Sequence, residues 1–284
     1  MNYYTSVNYF TEITTQKWIL NHLKLDYDFL FSVIKSIVIH PIEAKQEKVK
    51  YDRKKNGMFH CQNSTVETIL KYGKLEKAFH EKRLPLMTTA SDRAVLSCDH
   101  HALLFAAFVR YLNIPIRVRT GYSLYIVEGL AVPHWITERY DCENDRWIIM
   151  DPERKTKNVN KSGFLFAAQA WKDHIENGRD FPSYSGFSGK QGLKYALLCD
   201  LNCLFKNELL SYEWRLKEFN RKKPEIARTS YERLNDFQKN TFDKVTTLML
   251  NPDKHMAELW QSYQKIVEPI DIERSGYGKY FSIQ

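Results

Sequence analysis

The segment that most constrains this chain is SCDHHALLFAAFVRYLNIPIRVRTGY, residues 97–122. Its spacing predicts a helix over 98–112, with Leu104, Ala107, Phe108 and Tyr111 sharing one face. Asn113 closes that helix and Ile114-Pro115 opens a strand. Ile114, Ile116, Val118 and Thr120 then alternate with Pro115, Arg117 and Arg119, the period of two of a half-buried strand. Cys98 therefore stands at the head of a helix. An ordinary thiol, with a pKa of about 8.5, is mostly protonated at neutral pH. Unpaired N–H groups and the macrodipole at a helix N-terminus favour the thiolate, and a nearby imidazole can take the proton and remain as a stabilising cation.

An imidazole and carboxylates follow in PHWITERY and WIIMDPE. Two strands are expected to flank the turn-rich segment Asp141-Cys142-Glu143-Asn144-Asp145. With the turn centred on Glu143-Asn144, opposed residues have numbers that sum to about 287 by antiparallel pairing. His134 then faces Glu153, Ile136 faces Asp151 and Tyr140 faces Trp147. His134 and Asp151 become diagonal neighbours on one face, roughly 7–8 Å apart at their backbones. That is close enough for a His–Asp hydrogen bond that fixes the imidazole tautomer. One residue more or less in the turn would reverse the parity. Glu138 shares the His134 face, where it reads either as a supporting partner of the site or as half of a surface salt bridge. Asp145 and Glu153 rank below Asp151 as the orienting carboxylate.

The stretch from about Asp92 to Glu153 resembles the transglutaminase-like superfamily, part of the wider papain-like group. The resemblance rests on C-D-x-x-A-L-L-F-A-A-F-x-R-Y-L-N-I-P-I-R-V-x-x-G-Y, then H-W-x-x-E-x-Y-D, then R-W-x-x-M-D-P. It implies an α+β fold, in which a cysteine helix packs on an antiparallel sheet and helical segments flank the core. It implies Cys98 as nucleophile, His134 as general base and acid, and Asp151 as the orienting carboxylate. The flanking helical segments resemble those of uncharacterised bacterial members more than those of the calcium-dependent animal enzymes. No acidic calcium loop is present, and neither a metal nor a cofactor is expected. The activity implied is a cysteine-dependent amidase, peptidase or acyltransferase working through a thioester. Its substrate would be a peptide, a protein or a small amide. The alternative is a catalytically inactive relative that binds a peptide or protein partner. The backbone N–H of Cys98 supplies one oxyanion donor; neither Trp nor Gln stands just before Cys98 to supply a second.

The remaining chain frames this core, expected over 64–192. Residues 1–63 read as a helical segment, with Phe29, Leu30, Val33, Ile34 and Ile37 at helical spacing and a stop at His40-Pro41. Glu43 to Asn63 reads as a polar surface loop. A capping box at Ser64-Thr65-Val66-Glu67 starts a further helix. Phe181 to Gly192, rich in Ser, Gly and aromatics, reads as a mobile loop. Residues 193–284 read as helices packed on the core, interrupted near Pro224 and Pro252.

Trp135 is expected in the core or in the wall of a binding pocket. Asp99 is expected to serve its helix N-terminus. His100 and His101 lie about 100° apart around a helix, a poor chelating pair, and read as structural. Cys199 and Cys203 read as core, Arg117 and Arg119 as a solvated face. The five cysteines, Cys61 included, fit no disulfide framework or zinc spacing, which points to a reducing compartment. With 43% hydrophobic and 14% aromatic residues the chain can fill a core. Its formal net charge of +8 is scattered, with only short runs such as Arg53-Lys54-Lys55 and Arg221-Lys222-Lys223, so nucleic acid is disfavoured as a partner. The opening residues lack the pattern of a signal peptide and no apolar stretch reaches a membrane span. A cytoplasmic protein without a membrane partner is the expectation.

Overall fold

A computed structural model describes residues 2–51, 65–209 and 229–266. The segments carrying Cys61, Ser64, Pro224 and both short basic runs lie outside the described residues. Contacts divide the chain into two compact units: Met1–Val118 with Ile136–Val159, and Arg119–Trp135 with Asn160–Gln284. The fold is α+β, with an antiparallel sheet and helices on either side of it in sequence.

In the first unit, α1 (Asn2–Thr5) is followed by α2 (Tyr27–Ile37), capped by the Asp26 carboxylate, which accepts from the Asp28 and Phe29 amides at 3.0 and 3.2 Å. Its Leu30, Phe31, Val33, Ile34 and Ile37 are buried, as their spacing predicts. The helix ends at Ile37, before His40-Pro41. A two-residue strand, β1 (Val38–Ile39), intervenes, and Pro41 is the first residue of α3 (Pro41–Gln46). Proline is suited to that position because its missing N–H has no helical partner there. The expected polar loop is therefore helical at its start. Thr65, with Thr68 as its reciprocal partner, caps α4 (Val66–Leu70). Glu67 reaches elsewhere, accepting from the Thr14 amide at 2.8 Å. After α5 (Glu76–His80), β2 (Ala94–Val95) pairs in parallel with β1.

The next helix, α6 (Cys98–Tyr111), buries every residue from Asp99 to Arg110. The sequence predicts one apolar face; the structure surrounds the helix. Phe105 meets Phe31 with ring centroids 5.1 Å apart, and the Tyr111 hydroxyl accepts from the Ile13 amide at 2.9 Å. A helix that is apolar nearly all round belongs in the interior. Asn113, at φ +59°, ends it as expected.

Four strands form the main sheet in the order β5-β4-β3-β6: β3 (Ile116–Val127), β4 (Leu130–Asp141), β5 (Arg146–Met150) and β6 (Phe164–Phe166). The β4–β5 register is the one read from the sequence: Thr137 faces Met150 and Tyr140 faces Trp147. The Tyr140 and Trp147 rings meet edge-on at 5.1 Å, a cross-strand contact that helps hold the register. In the second unit β3 and β6 pair at Gly121–Phe166. A Cβ on Gly121 would lie 2.1 Å from the Leu165 carbonyl oxygen, so this close approach demands glycine. The unit continues with α7 (Ala167–Asn177), α8 (Gly189–Leu204), α9 (Asp236–Met249) and α10 (Met256–Ile266), with a short turn at Pro252 as expected. Cys199 and Cys203 are buried in α8, and burial pushes the Cys203 thiol well up.

Two expectations need correction. Arg117 and Arg119 are not a solvated face: both are buried, each against a carboxylate. Arg117 Nε donates to Glu138 at 2.7 Å, and Arg119 donates to both oxygens of Asp200 at 2.8 Å. Arginines alternating with apolar residues read as solvated unless an interior carboxylate awaits them, and strand spacing does not reveal one. The segment from Phe181 is also not a bare mobile loop, because Tyr184 is buried and hydrogen-bonded and α8 begins at Gly189.

Removing one member of a buried ion pair strands the other charge. Asp200→Ala should lower stability by about 3–5 kcal/mol in urea unfolding; a loss under about 1 kcal/mol would mean the Arg119 pair carries little.

Candidate active site

Cys98 owes its position to the strand before it. The Leu96 amide donates to the Ile39 carbonyl at 3.0 Å, and Ser97 is extended at the helix N-cap. Cys98 follows as the first helical residue, half-buried and not disulfide-bonded. Asp99 turns inward and is 1% exposed. Its carboxylate accepts from the His100 amide at 3.0 Å, from His100 Nδ1 at 2.8 Å and from the Ser97 hydroxyl. Burial works to raise the Asp99 pKa, but the His100 imidazole and these hydrogen bonds outweigh it and hold it at about 2. Asp99 thus accepts one amide of the helix's first turn.

His101 is fully buried. Its Nδ1 lies 3.0 Å from the Ser97 carbonyl, which can only accept, so the ring proton sits on Nδ1. Nε2 has no hydrogen-bond partner among the described residues. Burial pushes the His101 pKa down to about 4, against the attraction of Glu153.

On β4, His134 is 3% exposed. Its carbonyl accepts from the Thr120 hydroxyl at 3.2 Å, and its ring stands edge-on to Tyr125 with centroids 6.5 Å apart. Trp135 is buried and donates from Nε1 to the Tyr184 hydroxyl at 2.8 Å. Glu138 is held by Arg117, whose guanidinium also lies 4.0 Å from the centroid of the Trp147 ring. After β5, Asp151 is completely buried. One of its carboxylate oxygens accepts from the Arg154 amide at 3.0 Å, and its main chain pairs with Thr156. Glu153, 7% exposed, lies within this turn.

The sulfur of Cys98, a ring nitrogen of His134 and a carboxylate oxygen of Glu153 all lie within 4.8 Å of one another. The hairpin register had put Glu153 opposite His134, so the sequence did contain the sign of this third group. The same thiol, imidazole and carboxylate are donors that a zinc ion accepts. A family model described as the Transglutaminase-like superfamily matches residues 45–152.

The chain carries a transglutaminase-like domain. The domain runs from within α3 to just past β5 and includes Cys98, His134 and Asp151, while Glu153 falls one residue beyond the match. No curated protein and no solved structure gives a significant match. Among the described residues no helix is long and apolar enough to cross a membrane.

The buried imidazole makes stability depend on pH. His101 takes up a proton near pH 6.5 when unfolded but only near 4 when folded. Its contribution is therefore complete above pH 6.5 and is lost as the pH falls toward 4, by about 3 kcal/mol. Asp99, depressed to about 2, adds a further loss only at lower pH, as its carboxylate is protonated. His101→Asn should flatten the fall in urea stability between pH 6.5 and 4; an unchanged slope would contradict this assignment.

Proposed function

We propose that this protein is a cysteine-dependent amide-processing enzyme, an amidase, peptidase or acyltransferase acting through a thioester. The observation that carries the reading is the meeting of Cys98 sulfur, His134 nitrogen and a carboxylate within 4.8 Å, in a chain whose residues 45–152 match a superfamily that generally contains cysteine enzymes.

In this reading His134 takes the Cys98 proton as the sulfur attacks the amide carbonyl carbon. The carbonyl oxygen becomes an oxyanion, and the backbone N–H of Cys98 stabilises it. Collapse breaks the C–N bond. His134 gives its proton to the departing amine, leaving an acyl thioester on Cys98. Water or a second amine then attacks that thioester, giving up a proton to His134, which returns it to the sulfur. Water yields a carboxylic acid and an amine yields a new amide. Asp151 orients the imidazole, and Glu153 supports its positive charge. An anionic Glu153 also repels a lone thiolate, so it favours the ion pair over the free anion. The substrate is a peptide, a protein or a small amide.

Intact mass measurement after incubation with a peptide pool, with and without a primary amine, tests the scheme. Cys98→Ala and His134→Ala should lower turnover by at least about 10²-fold. Asp151→Asn should reduce it less, and Glu153→Gln identifies the carboxylate that matters more. Turnover at the wild-type level in Cys98→Ala would defeat the proposal.

A further inference from the structure

We infer that Tyr184 is a positioning residue for His134, acting through a directional chain of hydrogen bonds; this rests on the proposed role of His134. The chain begins and ends on neighbouring residues. Trp135 Nε1 donates to the Tyr184 hydroxyl at 2.8 Å. The Tyr184 and Thr120 hydroxyls are 2.6 Å apart, and the Thr120 hydroxyl donates to the His134 carbonyl at 3.2 Å.

Proton counting sets the direction. The indole nitrogen can only donate and the carbonyl can only accept. The single Thr120 proton goes to the His134 carbonyl, so the Tyr184 proton goes to Thr120. The bonds form a loop from the Trp135 side chain back to the main chain one residue earlier. All four residues are buried, none more than 3% exposed. In such surroundings an unmade hydrogen bond is costly, so the loop resists rotation of the His134–Trp135 backbone and of the indole. The Tyr184 ring is held in turn by Tyr122, with centroids 6.1 Å apart, and by a backbone bridge to Phe187. Gly192 permits this fold-back, since a Cβ there would lie 2.2 Å from the Phe187 carbonyl oxygen. The aromatic segment that reads as a loose loop thereby fixes where the proposed general base points.

Imidazole NMR of His134 across pH is the test, because it needs no substrate. Wild type is first compared with Cys98→Ala: if the His134 titration is the same in both, thiol and imidazole are uncoupled and the proposed function fails, and this inference with it. With coupling established, Tyr184→Phe should displace the His134 titration midpoint and lower the rate of Cys98 alkylation near neutral pH by about tenfold, the worth of one lost buried hydrogen bond. Thr120→Val breaks the same chain from its other side and should do likewise, while Thr120→Ser keeps the hydroxyl and should behave as wild type. A merely structural Tyr184 would lower the melting temperature and leave the His134 titration and alkylation profile in place; that result overturns the inference. Should Tyr184→Phe fail to fold, the Thr120→Val and Thr120→Ser pair decides, and identical behaviour of the two overturns it.

Discussion

The first turn of the helix α6, buried from Asp99 to Arg110, is the constraint on which the rest depends. Because α6 is packed on every side from Asp99 to Arg110, its N-terminus cannot drift or fray. Cys98 keeps one place as the residue that opens it. The same burial makes that terminus demanding. Its amide donors need acceptors: the Asp99 carboxylate takes the His100 amide together with the Ser97 hydroxyl and His100 Nδ1, and His101 Nδ1 donates to the Ser97 carbonyl, so a compact polar cluster forms at that end. Asp99 accepts there where the Ser97 side chain at the N-cap does not. In the proposed reading, activation of Cys98 falls to His134, a ring nitrogen of which lies within 4.8 Å of the sulfur.

Much of this was legible in the sequence because strand and helix periods are strict. The sum of 287 across the hairpin followed from the position of one turn, and Thr137–Met150 and Tyr140–Trp147 obey it. The same arithmetic set Glu153 against His134. Asn113 was readable as a helix stop because few residues tolerate positive φ.

Other features were hidden for physical reasons. An arginine in an alternating strand carries no mark of whether it meets water or a carboxylate; the partner of Arg119 is 81 residues away, on another element. The break after Ile37 was masked by β-branched residues, Val38 and Ile39, that continue an apolar run in either conformation. Tyr184 lay in a stretch of Ser and Gly whose composition says turn. Nothing local records that its hydroxyl is the acceptor for an indole 49 residues earlier. The polar groups buried around α6 and β3 are thus specified by long-range partners, whereas the apolar pattern that builds the elements is local.

The central claim is that Cys98 is an activated thiol, and the chain supplies its own reference in the exposed turn thiol Cys142. Limited alkylation with iodoacetamide at pH 6, followed by peptide mapping, compares the two in one molecule. An imidazole-paired sulfur predicts that Cys98 is labelled well ahead of Cys142 despite its lesser exposure, and that His134→Ala removes the advantage. Labelling of Cys142 first, with Cys98 no faster than a model thiol, would contradict the account.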